Sequence, residues 1–436
     1  MVPLKTSSFP SLYRDVAFFG MVATQFLGAF NDNVFKQLML LLAISVSTDD
    51  QQGFATIVFS LPFVLGSGYA GFLSDRYSKR YVIIAAKISE IAAMLLGMLA
   101  FLLYGLFGYA GLLVVLFLMG LQSTFFGPSK YGILPEMLRE EDLPRANGLM
   151  LMTTFMAIIF GTAIAGVLGD VFVDSSLPLS ESARNLWKGS AVCVAIAVAG
   201  TLAALLIRRT AAAEPELSFQ LSALAIPPDA RKTLFSDRPL LLALLASSLF
   251  WLVAGIAIQA VNSFGLKQLE LEKDLVTGKT WTSLLTAVIA IGIAGGAVLA
   301  GRLSHGKANF RLVRAGLWGI LGCLLLLSVS LPGGDHLLGY RGSLAVLVLL
   351  GLSAAMFAIP LQVFIQTRPP DGQKGRMIAV MNQFNFVAIL LSGVFYSLFV
   401  LIVESCGWPR SPIFAMMGVL VIPALLFYHP EKDVEE

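Results

Sequence analysis

Runs of about twenty apolar residues, the length that crosses the hydrocarbon core of a bilayer as a helix, recur along the whole chain between short polar breaks. They fall at 16–46, 53–73, 81–104, 109–127, 147–169 and 187–207, and then at 239–264, 281–301, 312–331, 343–366, 377–403 and 411–428. The pattern predicts an all-α membrane protein of twelve spans. The first run stands apart, because its centre reads Asn31-Asp32-Asn33 and then Lys36-Gln37. A charge at mid-bilayer depth costs roughly 2.5–3.5 kcal/mol on insertion scales, so Asp32 and Lys36 need a reason to be there. Four residues apart, they share one helix face, with the acid N-terminal to the base, the favourable order. Gln25 and Gly28 join that stripe. A polar wall facing a cavity between helices would use such a stripe; the competing reading is an ion pair that only fixes helix packing. The run is too long, and too polar at its centre, for the apolar core of a cleaved signal peptide.

Composition agrees with the pattern. Of 436 residues, 57% are hydrophobic and 13% charged, and the mean hydropathy is +0.81, values outside the range of soluble domains. Cys193, Cys323 and Cys406 sit singly in or beside spans and make no metal or disulfide spacing. The net charge of +3 becomes informative once basic residues are sorted by loop. Counting alternate loops with the two ends puts twenty-one on one side, from Lys5 and Arg14 through Arg208, Arg209 and Arg368 to Lys432. Seven fall on the other: Arg184, Lys188, Lys267, Lys273, Lys279, Arg341 and Arg410. The positive-inside rule then predicts that both termini are cytoplasmic. The basic residues report orientation, so no nucleic-acid partner is implied.

Internal symmetry divides the chain. Residues 209–238, with Glu214-Pro215-Glu216 and Pro227-Pro228, read as a cytoplasmic linker between a six-helix bundle at 1–208 and a second at 239–436 with a short cytoplasmic tail. Landmarks echo across it at an offset of about 230 residues: Gly71 and Gly301, Pro128 and Pro360, Arg145 and Arg376. Six helices duplicated in parallel are the arrangement of the major facilitator architecture. The same offset carries Asp32 onto Asn262, so span seven is expected to present Gln259 and Asn262 to the same cavity as Asp32, Asn33 and Lys36.

Two motifs carry mechanism. Between spans two and three the chain reads Gly71-Phe-Leu-Ser-Asp75-Arg76-Tyr-Ser-Lys79-Arg80, which resembles the signature loop of the major facilitator superfamily, with Ser78 where glycine is usual. The resemblance implies that Gly71 permits close helix approach. It also implies that Asp75, Arg76, Lys79 and Arg80, with Arg145 at the start of span five, belong to a breakable charge cluster holding one of two states; a bland basic loop obeying the orientation rule is the alternative. The second-half counterpart, Gly301 to Arg311, is degenerate, with His305 in place of the acid. Its Gly301-Arg-Leu-Ser-His-Gly306-Lys307-Ala308 mimics a phosphate-binding loop but ends without a hydroxyl and follows an apolar helix rather than a strand. It is rejected, and no cofactor is expected.

The second motif is Phe126-Gly127-Pro128-Ser129-Lys130-Tyr131-Gly132-Ile133-Leu134-Pro135-Glu136, followed by Arg145-Ala146-Asn147-Gly148. Together with Ala29-Phe30-Asn31-Asp32-Asn33 and Ile359-Pro360-Leu361, it closely resembles the lysophospholipid transporter family. The match is closest to the membrane half of bacterial proteins that fuse this transporter to an acyltransferase and an acyl-carrier-protein synthetase, on Phe35-Lys36 and Gly375-Arg376. The resemblance covers nearly the whole chain. It implies a carrier of the bacterial inner membrane that moves lysophospholipids, chiefly lysophosphatidylethanolamine, from outer to inner leaflet for re-acylation, with a cytoplasmic-face acyltransferase as functional partner. The family's intramembrane acid and loop lysine map onto Asp32 and Lys130. The chain departs at Gln259, where members often carry an arginine.

The residue chemistry fits independently: a single-tailed lipid with a phosphate and an amine calls for an amphipathic cavity with a cation, Lys36 or Lys130, and an acid, Asp32. Small residues on facing helices, Gly66 and Gly71 on span two and Gly292, Gly295 and Gly296 on span eight, would let helices part; ordinary tight packing is the other use of such residues. Lys87 and Glu90, spaced i, i+3 in span three, read as a structural ion pair, and Asp170 as a solvated span end. The runner-up function is a proton-coupled exporter or symporter of small amphipathic molecules, with Asp32 as the protonation site. An enzyme is disfavoured, since no histidine precedes an aspartate at acyltransferase spacing and no Gly-x-Ser-x-Gly elbow occurs.

Overall fold

Apolar runs with no water to satisfy their peptide groups have to close their hydrogen bonds internally, and in lipid the single-segment solution is the α-helix. The computed structural model, which describes residues 10–45, 50–139, 142–173, 177–218, 228–271, 277–304, 309–331, 333–369 and 374–428, accordingly shows helices and no strand among them, apart from one isolated bridge between Ser330 and His336. The long helices are α1 (Val16–Ser45), α2 (Gln52–Arg76), α3 (Lys79–Leu102), α4 (Tyr104–Gly132), α5 (Leu143–Phe172) and α6 (Trp187–Leu205). They continue as α7 (Arg238–Ser263), α8 (Gly278–Ser304), α9 (Phe310–Leu327), α10 (Gly339–Thr367), α11 (Lys374–Ser405) and α12 (Pro412–Phe427). Ten of them, α2 through α11, contain stretches long and apolar enough to cross a membrane. α1, with 30 residues and its polar centre, and α12, with 16, stand where the hydropathy pattern puts spans one and twelve.

Helix starts have local causes. Asp15 accepts from the backbone N–H of Ala17 at 2.9 Å and of Phe18 at 3.3 Å, capping α1, and its buried carboxylate also receives Arg208 Nη2 at 3.1 Å. Asp237 caps α7 through Leu240 N–H, with Pro239 in the first turn, and Asn309 caps α9 through Arg311 N–H. α7 ends in a π-turn, Phe264–Gln268. Large side chains such as Leu106, Leu401 and Phe427 are more than 60% exposed, as expected where lipid rather than water covers the surface.

The chain packs as two compact units. One comprises Met1–Lys36, Leu61–Gly161 and Ser175–Ala225; the other comprises Gln37–Ser60, Thr162–Asp174 and Ile226–Glu436. In the first, an apolar cluster including Phe18, Met21, Ile83, Met137 and Met150 joins α1, α3, α5 and the short helix Leu134–Met137. In the second, the core gathers α7, α9, α10, α11 and α12 around Phe264, Phe357, Tyr396 and Phe414. α1, α2 and α5 each contribute residues to both units, with boundaries at Lys36–Gln37, Ser60–Leu61 and Gly161–Thr162. The degenerate loop through His305 and Lys307 lies outside the described residues.

Within the second unit α8 lies against α10 with backbone touching backbone. A Cβ at Gly351 would run into Ile289 O, and one at Gly292 would run into Val348 O. Gly292 and Gly296 therefore serve tight packing inside one unit, whereas Gly71 and Gly295 face space that a Cβ could enter freely. Gly351→Ala is expected to force the two helices apart and cost about 1–3 kcal/mol, read as a lower midpoint in thermal unfolding of the detergent-solubilised protein. Gly295→Ala should leave that midpoint unchanged.

Candidate functional site

The polar stripe of α1 is met by polar residues of α3, α4 and α5. Ser123 Oγ on α4 donates to Asp32 Oδ2 at 2.6 Å, and Gln122 Nε2 reaches Asp32 Oδ1 at 3.4 Å while also donating to Ser123 at 2.8 Å. Gln25 Nε2 donates to Thr154 Oγ1 of α5 at 2.9 Å. Asp32, Asn33 and Lys36 are each partly exposed, whereas Asn31 is fully buried. Asn33 Nδ2 returns to Ala29 O of its own helix. The backbone of α5 closes on α1 here, since a Cβ at Gly161 would lie 2.7 Å from Phe30 O.

Behind the stripe sits a second charge system. Lys87 and Glu90 of α3, 1% and 2% exposed, form an ion pair, as their spacing suggests. Asn31 Nδ2 donates to the other carboxylate oxygen of Glu90 at 2.8 Å. Room for the lysine comes from glycines: a Cβ at Gly28 on α1 or at Gly200 on α6 would approach Lys87 Nζ to 3.0 Å. The pair thus clamps α1, α3 and α6. Lys87, Glu90 and Lys36 are also the charged neighbours of Asp32. Ser123 and Gln122 were invisible to sequence reasoning, being ordinary polar residues in an apolar run; only the i, i+7 relation of Ser123 to Lys130 on α4 hints at a shared face.

Lys130 is partly exposed in the last turn of α4, its ammonium 4.5 Å from the centre of the Tyr131 ring. Pro128 removes one backbone donor just before it, loosening that turn. The signature loop lies at the same end. Lys79, 5% exposed, pairs with Glu136 of the short helix that follows α4, so the two sequence motifs meet inside one unit. Arg80 Nη2 donates to Leu205 O at 2.9 Å. Arg76 Nη1 donates to Leu217 O at 3.0 Å, and Asp75 O accepts from Glu214 N–H at 2.9 Å, so the start of the interbundle segment is bound to the loop. Asp75 and Arg145 are exposed residues.

Gln259 and Asn262 belong to the second unit, and there they are 1% and 0% exposed. Gln259 Nε2 returns to Gly255 O. Asn262 is engaged with Gln37, Gln52 and Thr286. Neither offers an open polar surface. Asp170, expected at a solvated end, instead caps α8, accepting from Lys279 N–H at 3.0 Å and Thr280 N–H at 2.6 Å.

The family model of the Major Facilitator Superfamily matches residues 18–393. The chain belongs to that superfamily. It is similar to the lysophospholipid transporter LplT of Salmonella gallinarum, 32% identical over 393 residues that make up 88% of each chain. With the protein of the same name from Salmonella typhimurium it shares 31% over the same extent. Solved superfamily folds superpose on it at low identity: a POT family transporter in complex with 5-aminolevulinic acid, 14% identical, covers 95% of this chain and 96% of its own with a TM-score of 0.71. A mutant of the nucleoside transporter NupG, 12% identical, covers 94% and 98% with a TM-score of 0.67. Superfamily membership makes the protein a multi-pass membrane transporter and sets aside the enzyme reading.

Removing either member of the Lys87–Glu90 pair leaves an uncompensated buried charge, which costs about 3–5 kcal/mol. Lys87→Met and Glu90→Gln are each expected to lower the unfolding midpoint sharply, and the double variant to recover much of the loss. Equal damage in all three would mean that the pair does not carry the clamp.

Proposed function

We propose that this transporter moves lysophospholipids, chiefly lysophosphatidylethanolamine, from the outer to the inner leaflet of a bacterial cytoplasmic membrane, with both termini cytoplasmic, delivering them to an acyltransferase on the inner face. The names of its relatives support the substrate class, and the loop-charge asymmetry supports the orientation. One observation carries the reading: a partly exposed carboxylate, Asp32, held by Ser123 with a lysine on either side of it along the membrane axis. Lys36 lies four residues on, about 6 Å toward the C-terminal end of α1; Lys130 lies seven residues beyond Ser123, about 10 Å toward the C-terminal end of α4. The first and fourth spans run antiparallel, so those ends point in opposite directions.

A zwitterionic headgroup suits this order. Its ammonium would pair with Asp32 while its phosphate is handed from one lysine to the other as the lipid crosses, so that the acid is a constant partner and each cation serves one side. In this scheme Asp75, Arg76, Lys79, Arg80 and Arg145, at the end where Lys130 sits, control closure of the cytoplasmic side, and Gly71 leaves space for that movement.

The test is reconstitution of the purified protein in vesicles with labelled lysophosphatidylethanolamine. A charge-assisted hydrogen bond is worth about 1.5–3 kcal/mol, so Asp32→Asn and Lys130→Gln should each cut the initial rate about 10- to 100-fold while unfolding midpoints hold. Wild-type rates in both would remove the headgroup site from this stripe. Loss of uptake with an uncoupler, without competition by lysolipid, would favour the proton-coupled alternative. Orientation is tested separately: a single cysteine at Ala213, exposed in the interbundle segment, should resist an impermeant thiol reagent in intact cells and react in inverted vesicles.

A further inference from the structure

The second unit contains a buried polar network that the headgroup site does not use. Gln37 of α1 donates to Asn262 Oδ1 of α7 at 2.8 Å, and Thr286 of α8 donates to the same oxygen at 3.0 Å. Asn262 Nδ2 donates to Gln52 Oε1 at the start of α2 at 3.0 Å. Gln52 Nε2 reaches Gln259 O at 3.1 Å, Tyr396 Oη of α11 at 3.0 Å and Asp50 Oδ2 at 3.2 Å. Tyr396 Oη closes the network by donating to Asp50 at 2.6 Å. Gln37, Asp50, Gln52, Asn262, Thr286 and Tyr396 are all at most 7% exposed.

The backbones converge at the same place. A Cβ at Gly53 of α2 would run into Gly393 O of α11, one at Gly393 would run into Gly53 O, and one at Gly166 of α5 would stand 2.6 Å from Lys279 O of α8. The helix ends concerned are the C-terminal ends of α1, α5, α7 and α11 and the N-terminal ends of α2 and α8, which the loop-charge asymmetry assigns to the outer side.

We propose that the Asp50–Tyr396–Gln52–Asn262–Gln37 network is a latch that shuts the outer end of the transporter, and that lipid from the outer leaflet gains access only when it breaks. Three features fit that role better than a substrate contact or a static brace. The network joins α1 and α2 to α7, α8 and α11 through hydrogen bonds rather than interlocked apolar side chains, so its parts can separate and find water as the alternative partner. The glycines let the backbones come close, and the side chains that stand over them, Ser397, Ser283 and one edge of Ile57, are small or thin enough to slide away. And α1 and α2, which it joins to the other helices, together with α5, whose Gly166 meets α8 beside it, are the helices that contribute residues to both units. Asn262 is therefore a gating residue and not a headgroup ligand. The proposal rests on the transport reading for the word outer, but not on any particular substrate.

The test reads access without a lipid substrate. Ser263, fully buried beside Asn262 on α7, is replaced by cysteine in a protein lacking the three native cysteines. Labelling by an impermeant maleimide is followed in right-side-out and in inverted vesicles. Ser263→Cys alone should react slowly from either side. Adding Tyr396→Phe, which removes the donor to Asp50, should raise the rate several-fold from outside only. Gln37→Met, which keeps the length of the side chain without its hydrogen bonds, should act likewise and serves in place of Tyr396→Phe if that variant fails to fold. Fast labelling of the reporter alone, or no acceleration in folded variants, would overturn the latch. Acceleration from the inverted side would overturn the assignment of the latch to the outer end. A protein retaining only Cys193, buried in the first unit, must stay unlabelled in the same variants; reaction there means general loosening and sinks the proposal.

Discussion

A full charge taken out of water has to be paired where it stands, and in this chain the Lys87–Glu90 pair is the charge system around which the first unit is arranged. Its two residues are 1% and 2% exposed, so the desolvation they suffer is large and only a well-placed partner offsets it. That requirement places glycine at positions 28 and 200, because a methyl group at either would meet the lysine ammonium. It also draws Asn31 onto Glu90. Once Asn31 points at α3, the next residue, about 100° round the helix, points at α4, and that residue is Asp32. The orientation of Asp32 is thus a consequence of a structural ion pair one helix away.

The two units use their buried polarity differently. The first concentrates ions: Lys87, Glu90, Asp15 with Arg208, and Lys79 with Glu136. The second also holds ion pairs, Arg410 and Lys267 with Glu404 and Arg368 with Asp237, but adds a network of amides and hydroxyls in which Asp50 is the acid and Tyr396 and Gln52 are donors. Ion pairs resist separation in a low-dielectric interior, because each half left alone is strongly destabilising. Amide networks separate at lower cost where water can replace the lost partner. A carrier needs both kinds of contact, since one region must hold the binding residues in register while another opens and shuts.

Hydropathy alone located the long helices: the apolar runs agree with α1 to α12 to within about five residues at most ends. It did so because lipid imposes one backbone solution on every apolar run, leaving little for tertiary context to override. The acid at position 32 was legible for the same reason, as a charge where none should be. Its partners were not. Ser123 and Gln122 cost little in an apolar helix and so leave no mark, and Glu136 is visible within its motif but nothing in the sequence says that Lys79 meets it. Gln259 and Asn262 show where pattern reasoning overreaches. The offset of about 230 residues carries Asp32 onto Asn262 by position, yet a position shared by two repeats does not share its neighbours. Asn262 found Gln37, Gln52 and Thr286, residues no internal symmetry could have named.

If the repeats were equivalent, α7 would carry a charge to match the one on α1. Instead the charged stripe is confined to α1 and α4, while the equivalent face of α7 is occupied by neutral groups bound to one another. Gln259 fits the same pattern: its amide nitrogen turns back to its own helix at Gly255 O and the side chain adds no net charge. The neutral network draws on both repeats, Gln37 and Gln52 from the first and Asn262, Thr286 and Tyr396 from the second. Exchanging Gln259, 1% exposed, for arginine is therefore expected to bury an unpaired cation, read as a lower midpoint in thermal unfolding of the detergent-solubilised protein.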